Sequence, residues 1–207
     1  MGKTYKIVLT GGPCAGKTTA LKILRDYFSD KYNILCVSES STELMSGGVF
    51  PKSFDNTTEF MEYLTRLQCI KEDIFMNASS SISKRSKKDV IIFFDRGIFD
   101  VKAYMRDSDF DTMMCNLKIS KKDALIRYDA VFHLCTAAIN APMSYGTFNN
   151  SIRTESMEES IELDYKTFQC WQLHPFLYRI DSCIDINDKF NVLINMIENF
   201  IQSRPIE

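Results

Sequence analysis

The feature that most constrains the fold of this chain is the segment GGPCAGKT at residues 11–18. It matches the pattern G-x-x-x-x-G-K-[ST] and stands between an apolar run at residues 5–10 and a stretch with helical spacing at residues 18–28. Glycines let a backbone curl until successive N–H groups converge on one anion, and the positive end of the following helix faces the same anion. The pattern therefore predicts a strand, a phosphate-binding loop (P-loop) and a helix, in that order.

This loop predicts binding of a nucleoside triphosphate, ATP or alternatively GTP, together with Mg²⁺. Lys17 is expected to reach the β- and γ-phosphate oxygens, and Thr18 to offer its hydroxyl to the magnesium ion. Thr19 is expected to support the α-phosphate. The predicted nucleotide-binding residues are Gly11, Gly12, Pro13, Cys14, Ala15, Gly16, Lys17, Thr18 and Thr19.

Apolar runs along the rest of the chain predict an α/β fold built on a doubly wound parallel sheet of five strands. After the first strand, buried strands are predicted at residues 34–37, 90–94, 130–135 and 177–180, with helical material between them. Long helices are predicted at residues 57–78 and 188–201. In the first of these helices, the residues expected to face the core are Phe60, Leu64, Leu67 and Ile74. The 207 residues show no composition break, which predicts a single domain over residues 1–207.

Residues 140–154 have the weakest periodicity and are rich in Pro, Gly and Asn. They predict a lid at about residues 140–160, followed by a helix that begins with a capping box of Ser156 and Glu159. Arg153, near the end of this stretch, is expected to swing onto the transferred phosphate as a catalytic residue. A solvated arginine at a helix start is the alternative interpretation of Arg153.

The charge and composition of the chain exclude some classes of partner. Lysine and arginine number 25 against 27 acidic residues, and the net charge of -2 does not favour nucleic-acid binding. The sequence shows no apolar signal core and no stretch long enough to span a membrane, so a cytoplasmic location is expected. The seven scattered cysteines are expected to be reduced thiols.

Charged residues follow two of the predicted strands, where the ligands of an open parallel sheet bind. Glu39 follows the second strand, and Asp95 and Arg96 follow the third. Together with Lys17, these residues are the predicted catalytic groups: a base for the attacking hydroxyl, a magnesium ligand and a cation for the phosphate oxygens. Asp95 joins Thr18 as a predicted metal ligand, while either carboxylate fits the role of base. The alternatives are an exposed helix-capping or loop acid at Glu39 and an ion-paired strand end at Asp95 and Arg96.

The order of these motifs resembles P-loop domains of AAA type related to the ribosylnicotinamide kinase domain of bacterial NadR and to the P-loop half of eukaryotic CYTH-containing proteins. The resemblance rests on LTGGPCAGKTT at residues 9–19, Glu39 with TEL at 42–44, DRG at 95–97, YDAV at 128–131, Arg153 with Glu155, and HP at 174–175. It implies a P-loop NTPase fold of nucleoside/nucleotide-kinase type. It also implies that Glu39 activates a hydroxyl, and that Asp95 and Arg96 hold magnesium and phosphate.

These observations favour an ATP-dependent kinase that phosphorylates a hydroxyl of a small, nucleoside-like acceptor. An alternative is a GTP- or ATP-binding regulatory module whose change of conformation is recognised by a partner. Conventional GTPases read guanine with an N-K-x-D segment, which this sequence lacks. A further alternative is a structural role in which bound nucleotide only stabilises the fold.

Overall fold

The computed structural model describes residues 2–140, 156–183 and 185–204. Five strands, β1 (Thr4–Thr10), β2 (Asn33–Val37), β3 (Val90–Asp95), β4 (Ala130–Leu134) and β5 (Leu177–Ile180), form one sheet in the order β2-β3-β1-β4-β5. Every pair of neighbouring strands is parallel. The structure thus confirms the predicted five-stranded parallel sheet, with β1 at its centre and the P-loop at the carboxyl end of that strand.

The helices of the described residues lie between these strands and after the last one. They are α1 (Lys17–Phe28), α2 (Ser40–Ser46), α3 (Thr57–Ser86), α4 (Asp107–Asn116), α5 (Lys121–Ile126), α6 (Ala137–Asn140), α7 (Met157–Cys170) and α8 (Ile186–Ser203). Short 3-10 helices occupy Pro51–Ser53 and Ile98–Tyr104. The capping box predicted before α7 is present, and α3 continues to Ser86 instead of ending at residue 78.

Two hydrophobic layers cover the two faces of the sheet. Successive residues of a strand point to opposite faces, so β1 and β3 supply both layers. Ile7 and Phe93 pack in the cluster that contains the buried apolar residues of α1 and α8. Val8 and Phe94 pack in the cluster that contains residues of α3 and α4 and the fully buried Trp171. Packing on both faces holds the central strands in place, and the carboxyl ends of these strands carry the residues of the candidate site.

Helix α3 buries a polar face, and the predicted core stripe is confirmed for Phe60 and for Leu64, which packs against the core, but is wrong for Leu67 and Ile74. Phe60 is buried, but Leu64 and Leu67 are only half-buried and Ile74 is 59% exposed. The apolar spacing misled because the buried side of the helix carries polar groups that find hydrogen-bond partners inside the protein. These buried polar residues are Thr65, Gln68, Glu72, Ser79 and Ser83.

The fully buried carboxylate of Glu72 joins α3 to the start of β4. Its Oε1 accepts hydrogen bonds from the Tyr128 hydroxyl at 2.7 Å and from Gln68 Nε2 at 2.8 Å. Its Oε2 accepts from Arg127 Nε at 2.8 Å. The Tyr128 hydroxyl in turn accepts from the backbone N–H of Ile98 at 3.0 Å, so the network also reaches the chain that follows β3.

The predicted lid falls mostly outside the described residues, which exclude residues 141–155 and therefore Arg153. Both the lid and the role of Arg153 stay predictions, as does the single-domain organisation. None of the helices within the described ranges combines the length and the hydrophobicity needed to cross a membrane.

We predict that Glu72→Ala lowers the free energy of unfolding by about 3–5 kcal/mol, because the buried Tyr128 hydroxyl and Gln68 amide lose their acceptor and Arg127 loses one of its two carboxylates. Asp73→Ala is the matched control, since Asp73 also pairs with Arg127, at 2.6 Å, but is 57% exposed. This control is expected to lose at most about 1 kcal/mol. Urea denaturation at pH 7 measures both variants, and an equal loss in the two would contradict the role assigned to the buried network.

Candidate functional site

The loop between β1 and α1 is tightly curled. Gly11 and Gly16 adopt positive φ values of 135° and 85°. A Cβ on Gly11 would lie 2.1 Å from the carbonyl oxygen of Leu134, so the loop passes β4 too closely for any side chain. Cys14 also adopts a left-handed φ, of 55°, which is uncommon for a residue with a side chain. The glycines of the motif therefore serve the geometry that the sequence pattern predicts.

Lys17 folds back onto this loop. Its Nζ donates hydrogen bonds to the carbonyl oxygens of Gly11 and Gly12, both at 2.9 Å. Burial, with a contribution from the charge of Arg96, lowers the pKa of Lys17 to about 8. A buried ammonium group bound to neutral carbonyls is a strong point of attraction for a polyanion. Thr18, on the first turn of α1, is exposed beside it.

Arg96 and Glu39 form an ion pair that joins the carboxyl ends of β3 and β2. Arg96 Nε lies 2.7 Å from Glu39 Oε1, and Arg96 Nη1 donates to the carbonyl oxygen of Gly11 at 3.3 Å. Glu39 also accepts a hydrogen bond from the Thr42 hydroxyl at 2.7 Å. Burial alone would raise the pKa of Glu39, but the positive charges of Arg96 and Lys17 lower it to about 2. The carboxylate is therefore ionised at neutral pH.

Asp95, at the end of β3, is buried and its Oδ1 has no hydrogen-bond partner. Burial raises the pKa of this carboxyl, and the charge of Lys17 opposes the rise. An unpaired buried carboxylate oxygen is costly in a folded protein and is the type of ligand that Mg²⁺ prefers. Asp95 and the exposed hydroxyl of Thr18 are thus suited in chemistry to hold a magnesium ion.

Asp100 is a site residue to which the sequence analysis assigned no role. It accepts hydrogen bonds from the Thr10 hydroxyl, from the backbone N–H of Gly97 at 2.8 Å and from Trp171 Nε1 at 3.3 Å. It also lies 3.4 Å from Arg96 Nη1. Asp100 therefore holds the guanidinium from a second side. The sequence offered one indication of this contact, a carboxylate four residues after the arginine.

A cavity of about 300 Å³ opens beside this ion pair. Glu39 and Arg96 line it, and Pro13 of the loop also borders it, so the cavity reaches the candidate phosphate site. Among the described residues that line it, Arg96 carries the only positive charge. The remaining walls are mainly apolar and include Met45, Phe60, Met61, Leu64, Ile98 and Val101. Such a site suits a small organic molecule with an apolar body.

Asp164 of α7 is a second residue that the sequence analysis missed. Its Oδ1 accepts the backbone N–H groups of Gly12 at 2.8 Å and Thr136 at 3.0 Å, and its Oδ2 lies 3.2 Å from His133 Nε2. Burial would raise the pKa of Asp164, but these hydrogen bonds and His133 lower it. No sequence spacing indicated this contact, because it joins positions that are 152 residues apart.

The same region contains a cluster that could hold a metal ion, formed by His133, Cys135 and Asp164. Asp164 is already committed to the hydrogen bonds described above. Arg179 Nε lies 3.2 Å from the sulfur of Cys135 and supplies positive charge there. The cluster therefore fits a hydrogen-bonded part of the core better than a cation site.

The structure places the predicted residues at one edge of the sheet. Lys17, Glu39 and Arg96 converge there, with Asp95 at the adjoining strand end, whereas Arg153 lies outside the described residues. The alternative of an ion-paired strand end holds for Arg96, which pairs with Glu39 and Asp100 and not with its neighbour Asp95. The pairing forms part of the site, because both Glu39 and Arg96 also line the cavity.

Comparison with known proteins supports this architecture. A solved structure of thymidylate kinase from Ehrlichia chaffeensis matches with a TM-score of 0.57 and 18% sequence identity, covering 94% of this chain and 99% of that one. This likeness shows that the two proteins share a fold. No curated protein matches the chain. A family model described as AAA domain matches residues 6–189. Because that match spans most of the sequence, the chain belongs to the AAA domain family.

Proposed function

We propose that this protein transfers the γ-phosphoryl group of ATP to a hydroxyl group of a small, nucleoside-like acceptor. The observation that carries the proposal is the cavity of about 300 Å³, which borders both the P-loop and the Glu39–Arg96 pair. A module that only switches on nucleotide binding needs no second cavity for a small molecule at its phosphate site. The similarly folded protein is named as a kinase, which supports the same class of reaction.

The loop and the residues around it supply the binding part of the mechanism. Backbone N–H groups of the loop that follow Pro13 and the Lys17 ammonium bind the phosphates of the nucleotide. Thr18 and Asp95 would hold Mg²⁺, which would neutralise part of the charge of the phosphates. The guanidinium of Arg96 is held next to the loop and stabilises negative charge on the transferred group.

Glu39 is our candidate for the group that orients the attacking hydroxyl. The hydroxyl oxygen bonds to the γ-phosphorus, the bond from that phosphorus to the bridging oxygen breaks, ADP leaves, and the proton passes to Glu39. With a pKa of about 2, Glu39 is a weak base, so its main contribution is orientation during a loose transition state. We favour Glu39 over Asp95 because Glu39 lines the cavity.

The charges of the cavity favour an acceptor without a phosphate group. Arg96 is the only cation among the described lining residues, and it is already paired with Glu39 and Asp100. A phosphate dianion placed there would meet two carboxylates and no unpaired positive charge. A nucleoside, such as the ribosylnicotinamide suggested by the resemblance of the motifs, therefore fits better than a nucleoside monophosphate.

We predict that Glu39→Gln lowers kcat by about 10²-fold or more, because the hydroxyl loses its orienting carboxylate. The Kd of MgATP should change by no more than about 3-fold, since the phosphate-binding groups remain. Glu43→Gln is the matched control: Glu43 lies on α2, which begins directly after Glu39, but it pairs with Lys71. Product formation at the wild-type rate by Glu39→Gln would rule out this role.

We predict that nucleosides, including nicotinamide riboside, yield a phosphorylated product with MgATP, and that nucleoside monophosphates do not. Mass spectrometry identifies the product, and Lys17→Met should abolish it by removing the charge at the phosphates. Nucleotide binding without product from any acceptor would instead favour the regulatory module. A comparison of MgATP with MgGTP in the same assay decides the preferred donor.

We predict that Leu64→Trp raises the KM of the acceptor about 10-fold or more, because the larger ring fills part of the cavity that Leu64 lines. The Kd of MgATP should stay unchanged. Leu67→Trp is the matched control, since Leu67 is also half-buried on α3 but does not line the cavity. Equal effects of the two substitutions on KM would show that the acceptor binds elsewhere.

Arg153 is our candidate for a contribution from the lid. Arginines that close onto a transferred phosphate supply large rate effects, so Arg153→Gln is expected to lower kcat by about 10³-fold. The Kd of MgATP, measured by calorimetry without an acceptor, should change little. A variant with wild-type kcat would leave Arg153 as a solvated arginine.

A further inference from the structure

Two buried side chains from later in the sequence donate hydrogen bonds to backbone carbonyl groups of the P-loop. The Thr136 hydroxyl donates to the carbonyl oxygen of Pro13 at 2.5 Å. Lys189 Nζ, from α8, donates to the carbonyl oxygen of Ala15 at 2.8 Å and to that of Cys135 at 2.6 Å. Thr136 is fully buried and Lys189 is 4% exposed. Neither residue belongs to the set of groups that bind phosphate or acceptor in the mechanism above.

A trans peptide unit is planar, so the C=O of one residue and the N–H of the next point in opposite directions. The unit between Gly11 and Gly12 shows this in the loop itself. The carbonyl oxygen of Gly11 faces Lys17 and Arg96, on the side of the candidate site. The N–H of Gly12 faces the other way and donates to Asp164 of α7.

The peptide units that begin at Pro13 and Ala15 are oriented the other way round, because their carbonyl groups bind Thr136 and Lys189. Where a carbonyl is held on the outer side of the loop, the following N–H is turned toward the inner side. We propose that Thr136 and Lys189 are positioning residues for nucleotide binding: Thr136 turns the N–H of Cys14, and Lys189 the N–H of Gly16, toward the phosphates. The proposal rests on nucleotide binding by the loop and is independent of the acceptor.

Positioning of this kind strengthens binding because the peptides are already oriented when the anion arrives. Without these hydrogen bonds, ordering the loop would cost part of the free energy of binding. We expect Thr136→Val, which keeps the shape of the side chain but removes the donor, to raise the Kd of MgADP about 5–10-fold. Lys189→Met should raise it about 10-fold or more, because it removes a charged donor.

The matched control is Thr167→Val on α7. Thr167 is also fully buried and its hydroxyl also donates to a backbone carbonyl, but that carbonyl belongs to Leu163 of α7, at 2.7 Å, and not to the loop. The Kd of MgADP for this variant is expected to stay within about 2-fold of the wild-type value. If both valine variants lose stability but only Thr136→Val binds MgADP more weakly, the loss of binding does not come from the loss of stability.

Isothermal titration calorimetry with MgADP on the full chain, with thermal unfolding to show that each variant is folded, tests the proposal. Thr136→Ser keeps the hydroxyl and should restore the wild-type Kd. Wild-type Kd values in both folded variants, Thr136→Val and Lys189→Met, would overturn it, as would a Thr136→Ser variant as impaired as Thr136→Val. Should Thr136→Val not fold, the Kd of Lys189→Met decides. Failure of the phosphotransferase proposal is distinguishable, because it would appear as wild-type protein that binds MgADP but forms no product.

Discussion

The candidate site depends on the ion pairs of the partly buried Arg96 guanidinium. This group joins Glu39 after β2, Asp100 after β3 and the carbonyl of Gly11 after β1, so one cation ties together three neighbouring strand ends. Burial alone would lower the pKa of Arg96, but Tyr104 and the carboxylates of Glu39 and Asp100 raise it well above its usual value. A permanent positive charge is thereby kept beside the place where a nucleotide presents its phosphates.

The buried polar side chains of α3 help to hold the backbone of Arg96 in place. Gln68 donates to the carbonyl oxygen of Arg96 at 3.3 Å and to Glu72 at 2.8 Å, while its own oxygen accepts from Ser40 at 2.6 Å. Each of these buried polar groups is satisfied by another, which is the condition under which such a network stabilises a fold. Helix α3 therefore links the wall of the cavity to the strand end that carries Arg96.

The P-loop is supported in a comparable way by residues from later in the chain. Residues from the end of β4, from α7 and from α8 hold its backbone, and they enter the sequence more than a hundred residues after the loop. Helix α7 directly follows the stretch in which the lid is predicted. The Asp164 contact with Gly12 thus connects that helix to the nucleotide site. A nucleotide site built from one local motif still depends on distant parts of the chain for its geometry.

The sequence alone determined the features that rest on local pattern. Buried parallel strands are recognisable as apolar runs, and the P-loop as a fixed spacing of glycines before a helix, because both arise from contacts close in sequence or from burial on two faces. Glu39 and Arg96 followed from strand ends by the same reasoning. Only the tertiary structure decided that Arg96 pairs with Glu39, that α3 buries Gln68 and Glu72, and that Thr136, Asp164 and Lys189 hold the loop. Those choices depend on which polar groups meet across the fold, and a hydrogen bond between residues far apart in sequence leaves no periodic pattern in the chain.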